Sequence, residues 1–450
     1  MLCVPFTTAA ALLVVLLSLF MLFVLTEVQP LDSKLQACGV DIVLGCQQAL
    51  PWAKVPMLTL SALGGAEVVI AISPILLFAV DREIGIRVLT LLVGSLYVSG
   101  LLKQALHAPR PTWVNGSVAA WVCEHDYGSP SGHSQNAVSL YIFAVWEIVP
   151  ILSRRKHSQN SMHAACALYT IALLIISGVG ISRVFLGAHF PHQVILGWLL
   201  GGTLVTAFCR VEHATSIRLW KNFIEPEGLI RTMCLCLLAS LALLSLGVVE
   251  FLAVNSTWTF PSVWTHFIEA SCPNTGINKY GTLQAIALAA GALPTIVFGE
   301  YVRHHHLKDW NLDCCSATRQ HDLYQKGART MVAVAATAGS YIGIGAMIPE
   351  HGNPYMVIVL RFWGRGVGAV VALLVLAPYI CLQLKWLGNQ ADKGEIGEEP
   401  SDWRSDIELI SSFSDPLMCE ERDNFDATSF DLETEGDADL VRHGSHKRFQ

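Results

Sequence analysis

Apolar residues in this chain come in long runs of about twenty, the length that crosses the hydrocarbon core of a bilayer. The runs fall at about 8–28, 56–80, 86–104, 132–152, 162–181, 192–209, 229–254, 279–301, 328–348 and 356–383. A segment surrounded by lipid must satisfy its own backbone, so each run predicts a helix. The expected fold class is therefore an all-α polytopic membrane protein with about ten transmembrane helices. The first run begins without the basic residues of a secretory leader, which favours a signal anchor over 1–30, with a cleaved signal peptide as the alternative. Residues 31–54 read as an interfacial helix on the luminal side.

The polar positions between the runs set the orientation. Arg154-Arg155-Lys156, then Arg210, Arg218 and Lys221, then Arg303, Lys308, Arg319 and Lys326 all fall on one side if the spans alternate. Basic loops stay in the cytoplasm, so the loops near 105–130, 183–191, 255–277 and 349–355 face the lumen or the exterior. Asn115-Gly116-Ser117 in the first of these is a glycosylation sequon. Cys38, Cys46, Cys123 and Cys272 lie on the same side, where disulfides form.

Composition then sharpens the picture. The chain is 53% hydrophobic and 14% charged, against about 25% charged in soluble domains. Its net charge of −7 misleads, because the region 389–450 is rich in Asp and Glu and the remainder is net basic. That region should be a disordered cytoplasmic tail. No nucleic-acid partner follows from this charge pattern; the expected surroundings are membrane lipids. Lys447 and Arg448 near the end resemble a dilysine-type retrieval signal for the endoplasmic reticulum.

Three motifs carry chemistry: Lys103-x6-Arg110-Pro111, Pro130-Ser131-Gly132-His133, and Ser182-Arg183-x5-His189. Lys103 ends the third expected span, His133 begins the fourth, and Arg183 and His189 lie between the fifth and sixth. Alternating helices return all of them to one membrane face. A phosphoryl group in transfer spreads negative charge over three oxygens, so catalysis is mostly positioning and electrostatics. Arg110 and Arg183 supply planar forks and Lys103 a point charge. Ser131 and Gly132 supply hydroxyl or backbone donors at a helix start. Neutral His189 would attack phosphorus and form a phosphohistidine. His133 would protonate the leaving oxygen. Water would hydrolyse the intermediate, and neither a metal nor another cofactor is expected.

These motifs resemble those of the type-2 phosphatidic acid phosphatase superfamily, which includes lipid phosphate phosphatases, glucose-6-phosphatases and vanadium haloperoxidases. The resemblance covers about residues 55–210 and implies a phosphatase/haloperoxidase-type helical bundle, with Lys103, Arg110, Ser131, Gly132, His133, Arg183 and His189 in the roles above. The family usually places Asp four residues after the nucleophile to orient its ring; here that residue is Gln193, whose amide oxygen is expected to accept the His189 N–H. The run His189-Phe190-Pro191-His192-Gln193 is similar to that of glucose-6-phosphatases. So is the layout Arg110-Pro111-x-Trp113, a sequon, Cys123-Glu124, and Gly128-Ser129-Pro130-Ser131-Gly132-His133.

The expected organisation is thus a catalytic membrane phosphatase core over 55–212, additional transmembrane helices over 213–388, and the tail. The expected activity is hydrolysis of phosphomonoesters on the luminal face, with lipid phosphate the favoured substrate. A sugar phosphate is the alternative within the class. A non-catalytic membrane protein retaining the pocket is the alternative outside it. The expected location is the endoplasmic reticulum, with another endomembrane or the plasma membrane as alternatives.

Overall fold

The computed structural model describes residues 29–124, 126–155, 159–219, 228–273, 280–306, 321–348 and 353–384, all within one compact unit. The segment 8–28 and the acidic tail lie outside them. Every regular element among the described residues is helical, as the unbroken apolar runs require. Among the described residues, seven helices are long and apolar enough to cross a membrane.

Of the ten expected spans, 8–28 lies outside the described residues, and two others, 56–80 and 132–152, are not among the seven. The second expected span is divided into α2 (Lys54–Ala62) and α3 (Ala66–Ile75) by Leu63-Gly64-Gly65. The break sets Gly64 against the carbonyl of His133, where a side chain would collide. The fourth expected span is one continuous helix, α6 (Gly132–Arg155), but its first turns carry His133, Ser134, Gln135 and Asn136. The helix expected at 31–54 runs as α1 over Gln29–Ala49 and stops before Pro51.

The central element is α4 (Arg82–Leu106), with the Asp81 side chain accepting from the Ile84 amide at its start and left-handed His107 at its end. One flank of α4 packs on α6, which also meets α7 (Gln159–Phe185) and α8 (Pro191–Leu219); α2 packs on α7. The other flank meets α9 (Leu229–Thr257) and α11 (Gly281–His306), which in turn packs on α13 (Pro354–Val371), itself against α12 (His321–Met347). Leu91, Leu92, Leu102, Leu140, Phe143, Leu200 and Leu204 fill the seam of α4, α6 and α8. Between helices in lipid such a seam is held by close van der Waals packing rather than by the hydrophobic effect, and it fixes where the ends of these helices lie. At the start of α4, Arg82 pairs with Glu300 of α11, and Arg87 pairs with Glu147 of α6. Lys103 lies at the opposite end, about 30 Å away at the helical rise per residue.

Within the apolar region, Arg361 donates to the Gly345 carbonyl at 2.8 Å. Arg365 lies over the rings of Tyr341 and Phe362, which offsets part of the burial of its charge.

Candidate active site

The end of α7 explains why Arg183 and His189 are six residues apart. After Phe185 the chain turns through Gly187 at φ +72°, and the amides of Ala188 and His189 both donate back to the Arg183 carbonyl. This reversal returns His189 to the helix turn that carries Arg183. Only glycine adopts such a backbone at little cost, and a Cβ at Gly187 would also lie 2.8 Å from the Ala119 carbonyl.

His189 is 1% exposed and both ring nitrogens have partners. Nδ1 lies 2.7 Å from the Gly128 carbonyl and Nε2 lies 3.2 Å from Arg110 Nη1. A carbonyl can only accept and a guanidinium can only donate, so the proton is on Nδ1 and the lone pair is on Nε2. Burial and the nearby Arg110, Arg183 and Lys103 charges hold the imidazole well below its ordinary pKa, so it is neutral at pH 7.

Three cations surround it. Arg110 donates from Nε to the Asp126 carbonyl at 2.7 Å and from Nη1 to the Ala188 carbonyl at 2.8 Å. Its Nη2 reaches the Asp126 carboxylate at 2.5 Å. Lys103 Nζ reaches the other oxygen of that carboxylate, also at 2.5 Å. Arg183 donates to Ser61 Oγ of α2 at 2.7 Å and pairs with Glu124, while its Nε has no hydrogen-bond partner. Burial would raise the pKa of Glu124, but Arg183 and Arg110 outweigh it and hold the carboxyl well below its usual range. Asp126 is likewise lowered, because Lys103 and Arg110 overcome the effect of burial. His133, one residue into α6, is within electrostatic reach of Arg183, Glu124, Lys103 and Arg110.

The structure therefore brings Lys103, Arg110, His133, Arg183 and His189 together. Ser131 is placed differently from expectation. Its amide donates to the Gln193 carbonyl, and its hydroxyl is shared with Ser134 and accepts from the Ser134 amide. It caps α6, leaving the first amides of that helix, from Gly132 on, as the donors at this end. Asn115 follows the short helix α5 (Pro111–Val114), and its side chain accepts from the Ser117 amide in a tight turn. Cys123 is bonded to Cys272, whereas Cys38 and Cys46 are free.

Gln193 is the main correction: it does not accept the His189 ring N–H, which goes to the Gly128 carbonyl. Instead its Oε1 accepts from the Phe190 amide and its Nε2 donates to the Pro109 carbonyl at 2.8 Å. The first contact is the reciprocal half of a capping box at the start of α8; the second ties that helix to the loop behind Arg110. A backbone carbonyl leaves no signature in sequence, so this partner was not legible. Gly128 has its own requirement, since a Cβ there would lie 2.6 Å from the Pro109 carbonyl.

A prediction follows that reverses the family pattern. Aspartate at 193 is shorter and has no donor for Pro109, so Gln193→Asp should lose about 1–3 kcal/mol, and Gln193→Leu at least as much. Thermal unfolding in detergent measures both. A Gln193→Asp protein as stable as the parent would contradict the tether.

Sequence missed Ser61, Gly128, Glu124 and Asp126 as parts of the site. The acidic pair had an available signal: two carboxylates in a loop expected on the same face as three cations.

An all-helical protein with membrane-length helices, holding a buried neutral histidine among three cations, is the class that fold and site define. Comparison with known proteins agrees with the resemblance read from the motifs. Residues 85–216 match the model of the PAP2 superfamily. Glucose-6-phosphatase catalytic subunit 1 of Bos taurus is 24% identical over 241 residues, covering 47% of this chain and 63% of the bovine protein. Glucose-6-phosphatase 3 of Bos taurus is 30% identical over 190 residues, covering 39% of this chain and 53% of that protein. The chain thus spans less than two thirds of the length of these relatives. Among solved structures, a transmembrane PAP2-type phosphatidylglycerolphosphate phosphatase from Bacillus subtilis is 25% identical, covering 46% of this chain and 96% of its own, with a TM-score of 0.34.

Proposed function

We propose that this chain is an integral-membrane, metal-independent phosphatase that hydrolyses phosphomonoesters through a phosphohistidine at His189. One observation carries the reading: the His189 Nε2 lone pair faces Arg110 in a buried cluster with Lys103 and Arg183. A phosphoryl group bound by the three cations would meet that lone pair. Its equatorial oxygens would be held by the guanidinium forks. Burial and Arg183 hold the His133 pKa down to about 3 without substrate, so it would take a proton from the incoming phosphomonoester monoanion and pass it to the departing oxygen. With the leaving group gone, His133 would take a proton from water as that water attacks the phosphohistidine. Residues 55–212 form the catalytic core in this reading, with 213–388 as further transmembrane helices.

The site faces the lumen of the endoplasmic reticulum in this account. The Cys123–Cys272 disulfide beside the site and the sequon at Asn115 both suit an oxidising, glycan-modifying compartment. The similarity to glucose-6-phosphatases shifts the favoured substrate from a lipid phosphate to a sugar phosphate. Lipid phosphate is the second reading, supported by the motifs it shares with the wider superfamily.

Purified protein screened for phosphate release from sugar, prenyl and glycerolipid phosphates, with and without chelator, tests both the class and the substrate. Release from a sugar phosphate, undiminished by EDTA and blocked by vanadate, is expected. A strict requirement for added magnesium would remove the mechanism.

A further inference from the structure

Each of the three cations is paired with a carboxylate of the same chain. Asp126 bridges Lys103 and Arg110 with its two carboxylate oxygens, and Glu124 holds Arg183. Lys103, Arg110 and Arg183 are 8%, 1% and 2% exposed, and three charges buried at that depth without partners would be strongly destabilising. The carboxylates offset part of that penalty, but they occupy the same donors that a phosphoryl group needs. A phosphomonoester carries close to two negative charges at neutral pH. Adding it to three cations and two carboxylates leaves the cluster over-neutralised if all the charges stay in place.

Building on the phosphatase reading, we propose that Glu124 and Asp126 are internal placeholders for the phosphoryl group, pairing with the cations between turnovers and yielding them to the substrate. The anion affinity of the site is then set by a competition within the chain. Two features fit a swing of the side chains with the backbone kept in place. Cys123, next to Glu124, is fixed by its disulfide to Cys272 at the end of α10 (Ser262–Ser271). Tyr127, next to Asp126, packs edge-on against Trp113 and Trp258. The unpartnered Arg183 Nε is a donor that Glu124 and Ser61 leave unmatched, as expected if the intended ligand has more oxygens than the placeholder.

The test is direct binding of orthovanadate and inorganic phosphate to purified protein by titration calorimetry, which needs no turnover. Glu124→Gln and Asp126→Asn should each bind these anions about tenfold more tightly, the scale set by removing one nearby charge, and KM should fall with kcat in turnover assays. A purely structural role gives the opposite sign, because loosened cations bind an anion less well. Equal or weaker binding by a folded variant therefore overturns the proposal. If neither neutral variant folds, Glu124→Asp keeps the charge but retracts it by one methylene, and should bind about two- to threefold more tightly; unchanged or weaker binding again overturns it. A parent protein that binds neither anion would instead remove the phosphatase reading itself.

Discussion

His189→Ala should abolish turnover, with a loss of at least about 10³-fold on every phosphomonoester tested, because removing a covalent nucleophile leaves only binding and electrostatic stabilisation. The ring is fixed at both nitrogens, Nδ1 donating to the Gly128 carbonyl and Nε2 accepting from Arg110, so Arg110 must release Nε2 to the phosphoryl group for attack. The variant should still bind vanadate, since the three cations remain. A folded His189→Ala protein with activity within tenfold of the parent would show that another residue attacks phosphorus.

Arg110→Lys should be nearly as damaging, although it conserves charge. Arg110 donates to the Asp126 carbonyl and carboxylate, to the Ala188 carbonyl and to His189 Nε2, a set that only a planar five-donor group can serve. A lysine would leave at least two buried acceptors unmatched, at about 1–3 kcal/mol each, and would lose the two-point grip on a phosphoryl group. We expect kcat/KM to fall about 10²- to 10³-fold, the scale for one preorganised donor at a developing charge, with a lower unfolding temperature. Arg110→Ala should be worse, because it removes one of the two cations that compensate Asp126. Retention of parental kcat/KM by Arg110→Lys would mean that charge alone, without fork geometry, is what the site uses.

The parts of this arrangement legible in sequence are those specified by side-chain type and helix ends. Unbroken apolar runs require helices, and motifs at the ends of successive spans must share a face. Lys103, Arg110, His133, Arg183 and His189 accordingly come together. What escaped depends on backbone. The Gly128 carbonyl that fixes the tautomer of His189 has no residue signature, and Gln193 took that role in the expectation because it stands where the family usually places an orienting Asp. The division of one expected span at Leu63-Gly64-Gly65 also escaped, because two glycines amid apolar residues barely lower a hydropathy average. Their consequence lies in tertiary contact, where α2 delivers Ser61 to Arg183. Glu124 and Asp126 were readable as charges but not as partners, since pairing depends on the fold of a loop between two helices.

The central claim is covalent transfer of phosphate to His189, and peptide mapping of rapidly quenched enzyme measures it most directly. Purified protein mixed with an excess of a substrate that it hydrolyses, then quenched in alkali to preserve phosphohistidine, should carry acid-labile phosphate on the peptide containing His189. The label should be absent from His189→Ala and unaffected by chelator. Steady turnover with no trapped phosphate on that peptide, or with phosphate on a different residue, would contradict the account.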